Sequence, residues 1–311
     1  MRVTASPSRA ARARRRFWRE LRRDVEGYVV IGPWLVGFLV FTLGPMAASA
    51  VLAFTNYDLL TPPEWTGLTN YRRSVGDPLI PLVLYNTAYY TLLAVPAQVA
   101  VALVMALLLN IRVRGVNLFR TAYYLPTVTP AVASVLLWVW IYHPEFGLAN
   151  AILRTVGLPT SLWLRSPEMA KESLVIMSLW GVGSQMVIFL AGLQGVPETL
   201  HEAAQIDGAT WLQRLRHVTI PMISPVIFFN VIVGMIGSFQ VFTAAFIATG
   251  GGPIDSTRFY VLYLYEQGFQ SFRMGYASFL AWVLFALILL FTLAQFALGR
   301  RWVYYEGNRP R

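Results

Sequence analysis

The chain has 311 residues, 56% apolar and 14% aromatic, with only 13% charged and a mean hydropathy of +0.54, which excludes an ordinary soluble domain and points to a membrane. Its formal net charge of +10 comes from 25 Lys and Arg against 15 Asp and Glu. Cysteine is absent, which excludes disulfides and thiolate metal sites.

Residues 1–27 form an Arg-rich leader that opens MRVTASPSRAARARRRFWRELRR. Beside an apolar run it reads more simply as a cytoplasmic topology anchor touching anionic lipid than as a nucleic-acid arm. A signal peptide is a further reading, since Ala48-Ser49-Ala50 offers a small-residue cleavage pattern, but the apolar run before it is long for one.

Crossing about 30 Å of hydrocarbon takes roughly 18 or more apolar residues. Charge-free runs of that kind fall near 28–55, 82–109, 121–142, 173–194, 222–247 and 274–298. The expected fold is an all-α polytopic membrane protein with six transmembrane helices over 28–298, followed by a 299–311 tail. No loop between the runs is long enough to fold alone. With the N-terminus inside, 18 of the 25 cations lie on the inner side and seven outside. Cationic loops stay cytoplasmic, so both termini are expected inside a multi-pass cytoplasmic-membrane protein. The outer loops carry turn punctuation, as in TPPEWTGLTNYRRSVGDP and TGGGP. Pro33, Pro45, Pro96, Pro126, Pro130 and Pro225 fall within the runs and loosen the helix ladder, either around a watery cavity or as ordinary packing kinks.

Several chemistries are missing. HEAAQ at 201–205 begins like a zinc-protease HExxH motif, but position 205 is Gln, so no metal site forms there. A phosphate-cradling loop needs a lysine after glycine, and the only lysine is Lys171, in MAKES. None of the six runs contains an ionisable residue, which removes proton relays and intramembrane catalysts. No catalytic residue and no cofactor of the chain's own are expected. If the chain moves a solute, the driving energy enters from outside the spans; a stand-alone secondary transporter of a neutral solute, using backbone carbonyls for sodium, is the alternative.

A charged break separates the fourth and fifth runs. In 198–221, ETLHEAAQIDGATWLQRLRHVTIP, Glu198, Glu202 and Asp207 come early and Arg214, Arg216 and His217 late, as a helix dipole favours. Leu200, Ala203, Ala204, Gly208, Trp211, Leu212 and Leu215 recur at three- and four-residue steps. Ala204 and Gly208 make the middle of this stripe shallow, which suits the close approach of another protein better than burial in lipid. Gly208 costs about 1 kcal/mol of helix propensity and marks a bend between two short helices or a close contact.

Uncharged polar residues within the runs are candidates for a path suited to a hydroxyl-rich solute, although each is more often a helix-to-helix hydrogen bond. They are Asn86, Gln98, Thr127, Ser184, Gln185, Asn230, Ser238, Gln240 and Thr243. The best cluster is Gly181-Val182-Gly183-Ser184-Gln185, where paired glycines expose backbone to a ligand. Thr127 between Pro126 and Pro130, and Ser238 with Gln240, come next. Trp138, Trp140 and Trp180 offer aromatic faces to a sugar, or serve as interface anchors.

Glu202-Ala203-Ala204, then Gly208 after three residues, then Val218-Thr219-Ile220-Pro221 after nine, resembles the EAA signature of permease subunits in bacterial ATP-binding cassette importers. Val218 and Ile220 depart mildly from the usual Ile-x-Leu-Pro. Flanking stretches such as GLTNYRRSVGDP, SLWGVGSQMVIFLAGLQGVP and RMGYASF are similar to the carbohydrate branch, the first permease of maltose and glycerol-phosphate systems, over roughly 28–300. The resemblance implies a type I importer permease fold in which 198–221 is the coupling segment. Glu202, Ala203, Ala204, Asp207, Gly208 and Arg214 would then meet a separate ATPase subunit. It implies as partners a second homologous permease, two ATPase subunits that bind ATP and Mg, an extracytoplasmic solute-binding protein, a sugar substrate and membrane lipid, with no nucleic acid. It also implies that the regions around Thr127, Gly181–Gln185 and Ser238–Gln240 face the sugar, whose identity is left open.

Overall fold

The computed structural model describes Val25 and residues 27–111 and 115–304; the rest of the Arg-rich leader, residues 112–114 and tail residues 305–311 lie outside it. α1 (Gly27–Leu52) is one apolar helix. Its middle widens into a π-turn over Leu39–Leu43, closed by the Gly44 N–H donating to Leu39 O. Pro45 follows at once and has no N–H with which to continue the ordinary ladder. Two short antiparallel strands, β1 (Thr55–Asn56) and β2 (Glu64–Trp65), and α2 (Thr69–Gly76) follow it.

α3 (Leu79–Leu109) is the central pillar, 31 residues or about 46 Å at 1.5 Å per residue. Pro96 is accommodated without a break. Val83, Thr87, Tyr90, Ala94, Ala102, Ala106 and Leu109 are buried along one side at helical steps. Ala102 and Ala106 meet Met186 and Phe189 of a later helix. In lipid, where apolar surface gains little by association, small residues of this kind let backbones close and dispersion contacts accumulate.

The next three predicted spans are each broken. α4 (Val116–Val128) and α5 (Ala131–Ile141) meet at 99° rather than forming one rod over 121–142. Thr129 is extended at φ −72 and ψ 136, the conformation imposed on a residue preceding proline, here Pro130. α6 (Leu148–Thr155) lies outside the spans. α7 (Ala170–Gly181) and α8 (Gly183–Gln194) bend by 51° through Val182. α9 (Glu198–Ile206) and α10 (Trp211–Met222) form the charged segment, and α10 turns by 66° into α11 (Ser224–Phe239), with Pro225 in the first turn of α11.

The fifth span, expected to run to 247, stops as a helix at Phe239. Gln240 to Phe242 unwind, and α12 (Thr243–Ala248) turns aside to pack on α5. α13 (Tyr260–Tyr265) and α14 (Met274–Gly299) complete the chain. Among the described residues three helices are long and apolar enough to cross a membrane, or up to six spans if each bent pair counts as one. α8 and α11 both pack on α3 and touch each other, which sets the breaks of the fourth and fifth spans against one pillar.

Candidate coupling segment and solute path

α9 ends in a left-handed C-cap. Gly208 adopts φ +76; its N–H donates to Gln205 O at 3.0 Å and the Ala209 N–H donates to Ala204 O at 2.9 Å. These are the two bonds of a Schellman motif, whose cap residue must tolerate positive φ. Two residues later the chain starts again. The Thr210 N–H donates to Gln213 Oε1 at 2.7 Å and the Gln213 N–H donates back to Thr210 Oγ1 at 3.4 Å, a capping box opening α10. The bend expected at Gly208 is thus built from a stop and a start with no free residue between. A Cβ on Gly208 would meet nothing within 4 Å in this chain, so backbone geometry, not internal crowding, demands the glycine.

The segment stands away from the helical body. Glu202, Ala203, Asp207 and Gly208 are exposed, with Ala204 and Arg214 half-buried. Ile206 is 86% exposed and Trp211 64%, an apolar surface that this chain leaves uncovered. Beside it Ala204, Asp207, Gly208 and Gln213 border a recess of about 320 Å³.

The residues singled out for the solute path sit at the breaks. Gly183 is buried against α4: a Cβ there would lie 2.5 Å from Tyr123 O and 2.9 Å from Thr127 Cγ2. Gly183 is therefore the contact that seats Thr127 beside the fourth span, and no ligand could enter between them. Gly181, by contrast, faces open space. Gln185 reaches toward α11, with its Nε2 3.3 Å from where a Gly234 Cβ would stand, and its Oε1 is buried without a hydrogen-bond partner. Ser184 and Gln240 are exposed and Ser238 is buried at the end of α11. Thr127, Gly183 and Gln185 thus lie along one run of contacts from α4 through α8 to α11.

Residues 98–304 match the family described as binding-protein-dependent transport system inner membrane component. The chain belongs to this family of transport permeases. The permease is 42% identical over 296 residues to the probable ABC transporter permease protein YesP of Bacillus subtilis (strain 168), covering 93% of this chain and 96% of that one. It is 30% identical to the arabinooligosaccharides transport system permease protein AraP of the same organism, covering 91% of each. A chain of a bacterial ABC transporter involved in the import of the acidic polysaccharide alginate has the same fold, with a TM-score of 0.81 at 24% identity over 92% of this permease and 99% of that chain. The type I importer architecture expected from the EAA resemblance is therefore the architecture of this permease.

Asn86, taken from the sequence as a path candidate, has another role. Its Nδ2 donates to Asp255 O at 2.8 Å and Arg258 O at 3.2 Å, and its Oδ1 accepts from Lys171 Nζ at 3.1 Å. Lys171 also lies 5.0 Å and 4.9 Å from the Tyr85 and Tyr89 ring centroids, and the Tyr89 hydroxyl donates to Glu172 at 2.6 Å. Arg258 bonds to Asp255 and Glu266 at 2.6 and 3.1 Å. Burial raises the Glu266 carboxyl above its usual range, against the opposing pull of Arg258. This clasp ties loop 254–258 to α3 and α7, and sequence reading missed it because Asn86 and the loop stand about 170 positions apart. Trp138 and Trp180 pack edge-to-face at 6.1 Å, with Trp138 Nε1 unpartnered, whereas Trp140 points outward. Among the described residues no group of three or more His, Asp or Glu is placed to hold a metal.

Proposed function

We propose that this permease is one half of the membrane channel of a carbohydrate importer, driven by separate ATPase subunits through residues 198–221. The observation that carries the reading is the capped α9–Gly208–α10 elbow, which projects Ile206 and Trp211 from a chain without a nucleotide site of its own. Glu202, Ala203, Ala204, Asp207 and Gly208 meet the ATPase, and Arg214 lines the recess beside them. ATP and Mg bind to the two ATPase partners, a second homologous permease completes the path, and an extracytoplasmic binding protein delivers the solute. Both termini and the elbow face the cytoplasm.

The sugar class is supported by the printed name of the AraP relative and by spans that offer amides, hydroxyls and broken-helix ends in place of charge. Ser184, Gln185, Ser238 and Gln240 contact the solute, Gly181 leaves room for it, and Gly183 holds Thr127 in place.

Two measurements test this. Because the native chain has no cysteine, single variants Ile206→Cys and Ile254→Cys report sidedness: an impermeant thiol reagent should label the first only from inside and the second only from outside. In proteoliposomes, oligosaccharide uptake should require internal ATP, both permeases, the ATPase subunits and the binding protein. Uptake by the lone chain on an ion gradient would overturn the proposal.

A further inference from the structure

The inner end of α3 and the elbow enclose a cavity of about 520 Å³. Its walls are apolar, with Val104, Leu108 and Ile111 of α3 on one side and Trp211 on the other. Val104, Leu108 and Ile111 are also among the exposed apolar residues, so the cavity continues into the outward flank of a membrane-spanning helix. Its polar end holds Arg214, His201 and Asn110; among the described residues no carboxylate lines it, and Glu198 borders the adjoining recess that shares Asn110 and His201. Arg214 Nε is buried there with no hydrogen-bond partner among the described residues. A guanidinium is never neutral, so Arg214 gives this end of the cavity a fixed positive charge, which an anion would meet through the terminal N–H groups and not through the enclosed Nε. Asp207 borders the smaller recess that Arg214 also lines, but the two form no ion pair among the described residues.

We propose that this cavity binds an anionic phospholipid of the inner leaflet, with its phosphodiester on Arg214 and His201 and its glycerol and acyl portion along α3. A zwitterionic lipid would bring an ammonium group toward the Arg214 cation, and Glu198 in the adjoining recess is already engaged, which favours an anionic head. The lipid joins α3, the pillar that carries α8 and α11, to the elbow through which ATPase motion enters. Leaflet charge thereby tunes how firmly that motion is passed on. The inference rests on the cytoplasmic placement of residues 198–221, which the Ile206→Cys labelling checks independently of any lipid measurement.

The test is native mass spectrometry of the whole importer complex released from nanodiscs of equal phosphatidylglycerol and phosphatidylcholine. The wild-type complex should retain phosphatidylglycerol. Arg214→Gln should lower the retained fraction about five-fold, the factor carried by one cation at an anionic surface. Leu108→Trp, which fills the apolar end and leaves Arg214 in place, should do the same, whereas Leu92→Trp, on an exposed part of α3 outside the cavity, should retain lipid as the wild type does. Equal retention in the wild type, Arg214→Gln and Leu108→Trp, or phosphatidylcholine held as well as phosphatidylglycerol, overturns the proposal. Loss of ATPase subunits from Arg214→Gln with lipid still bound would assign the cavity to the partner protein and overturn it as well.

Discussion

Gly208→Ala places an L side chain at φ +76, a conformation that costs roughly 1–2 kcal/mol for a residue with a Cβ. The new methyl group meets nothing within 4 Å of its own chain, so internal crowding contributes nothing to that cost. Escape from the left-handed region would break the bonds from Gly208 N to Gln205 O and from Ala209 N to Ala204 O. It would also displace the Thr210 cap, worth about 1 kcal/mol. On the free, exposed elbow those bonds can be exchanged for bonds to water, so the variant relaxes there and docking must reimpose the strain, which predicts up to about ten-fold weaker ATPase association for a penalty near 1.4 kcal/mol. Asparagine visits positive φ more readily than alanine, so Gly208→Asn should bind better than Gly208→Ala, and Gly208→Leu should be worst. The assay is titration of purified ATPase subunits against the permease pair in nanodiscs, alongside binding-protein-stimulated ATP hydrolysis. Wild-type affinity in Gly208→Ala would refute the backbone argument. Gly208→Asn falling below Gly208→Ala would show that size against the partner, not φ, sets the requirement.

Asn86→Ala removes a donor to two loop carbonyls and the acceptor of Lys171; at about 1 kcal/mol per bond it should destabilise the protein by about 2–3 kcal/mol, seen as a lower unfolding temperature in detergent, and an unchanged transition would remove the clasp from the stabilising contacts. Gly183→Ala, whose methyl would stand 2.5 Å from Tyr123 O, should cost about 1–3 kcal/mol by the same measurement, whereas Gly181→Ala, with nothing within 4 Å, should stay within about 0.5 kcal/mol of wild type. Gln185→Leu keeps the packing volume and loses the unpartnered Oε1; the apparent KM for uptake should rise three- to ten-fold, about 1 kcal/mol, with ATPase association unchanged, and an unaltered KM would take Gln185 out of the path.

Local signals were the readable ones. The elbow is specified within 16 residues, from Glu198 to Gln213, because its stop and start are made by a glycine and a Thr–Gln pair a few positions apart. Pro130 announced a loosened third span, yet the 99° turn also depends on α5 finding α12, which no local pattern encodes. The unwinding at Gln240–Phe242 contains neither glycine nor proline and was invisible for that reason. In α3 apolar residues surround the axis, so the buried side is marked only by small and hydroxyl residues such as Thr87, Ala94, Ala102 and Ala106. The residues proposed for the path are recognisable by type, but whether a glycine faces open space or a neighbouring helix is decided by helix spacing, as Gly181 and Gly183 show.

Lys171 carries the sole side-chain primary amine of the whole sequence, held between two phenol rings and an amide oxygen. Acylating reagents aimed at ε-amino groups therefore have a single internal target, and it is shielded while Asn86 also grips the 254–258 carbonyls. The rate at which that nitrogen is acylated becomes a natural gauge of the clasp on loop 254–258: slow while the loop is held, faster in any state that lets it go. No engineered probe is needed to follow that movement.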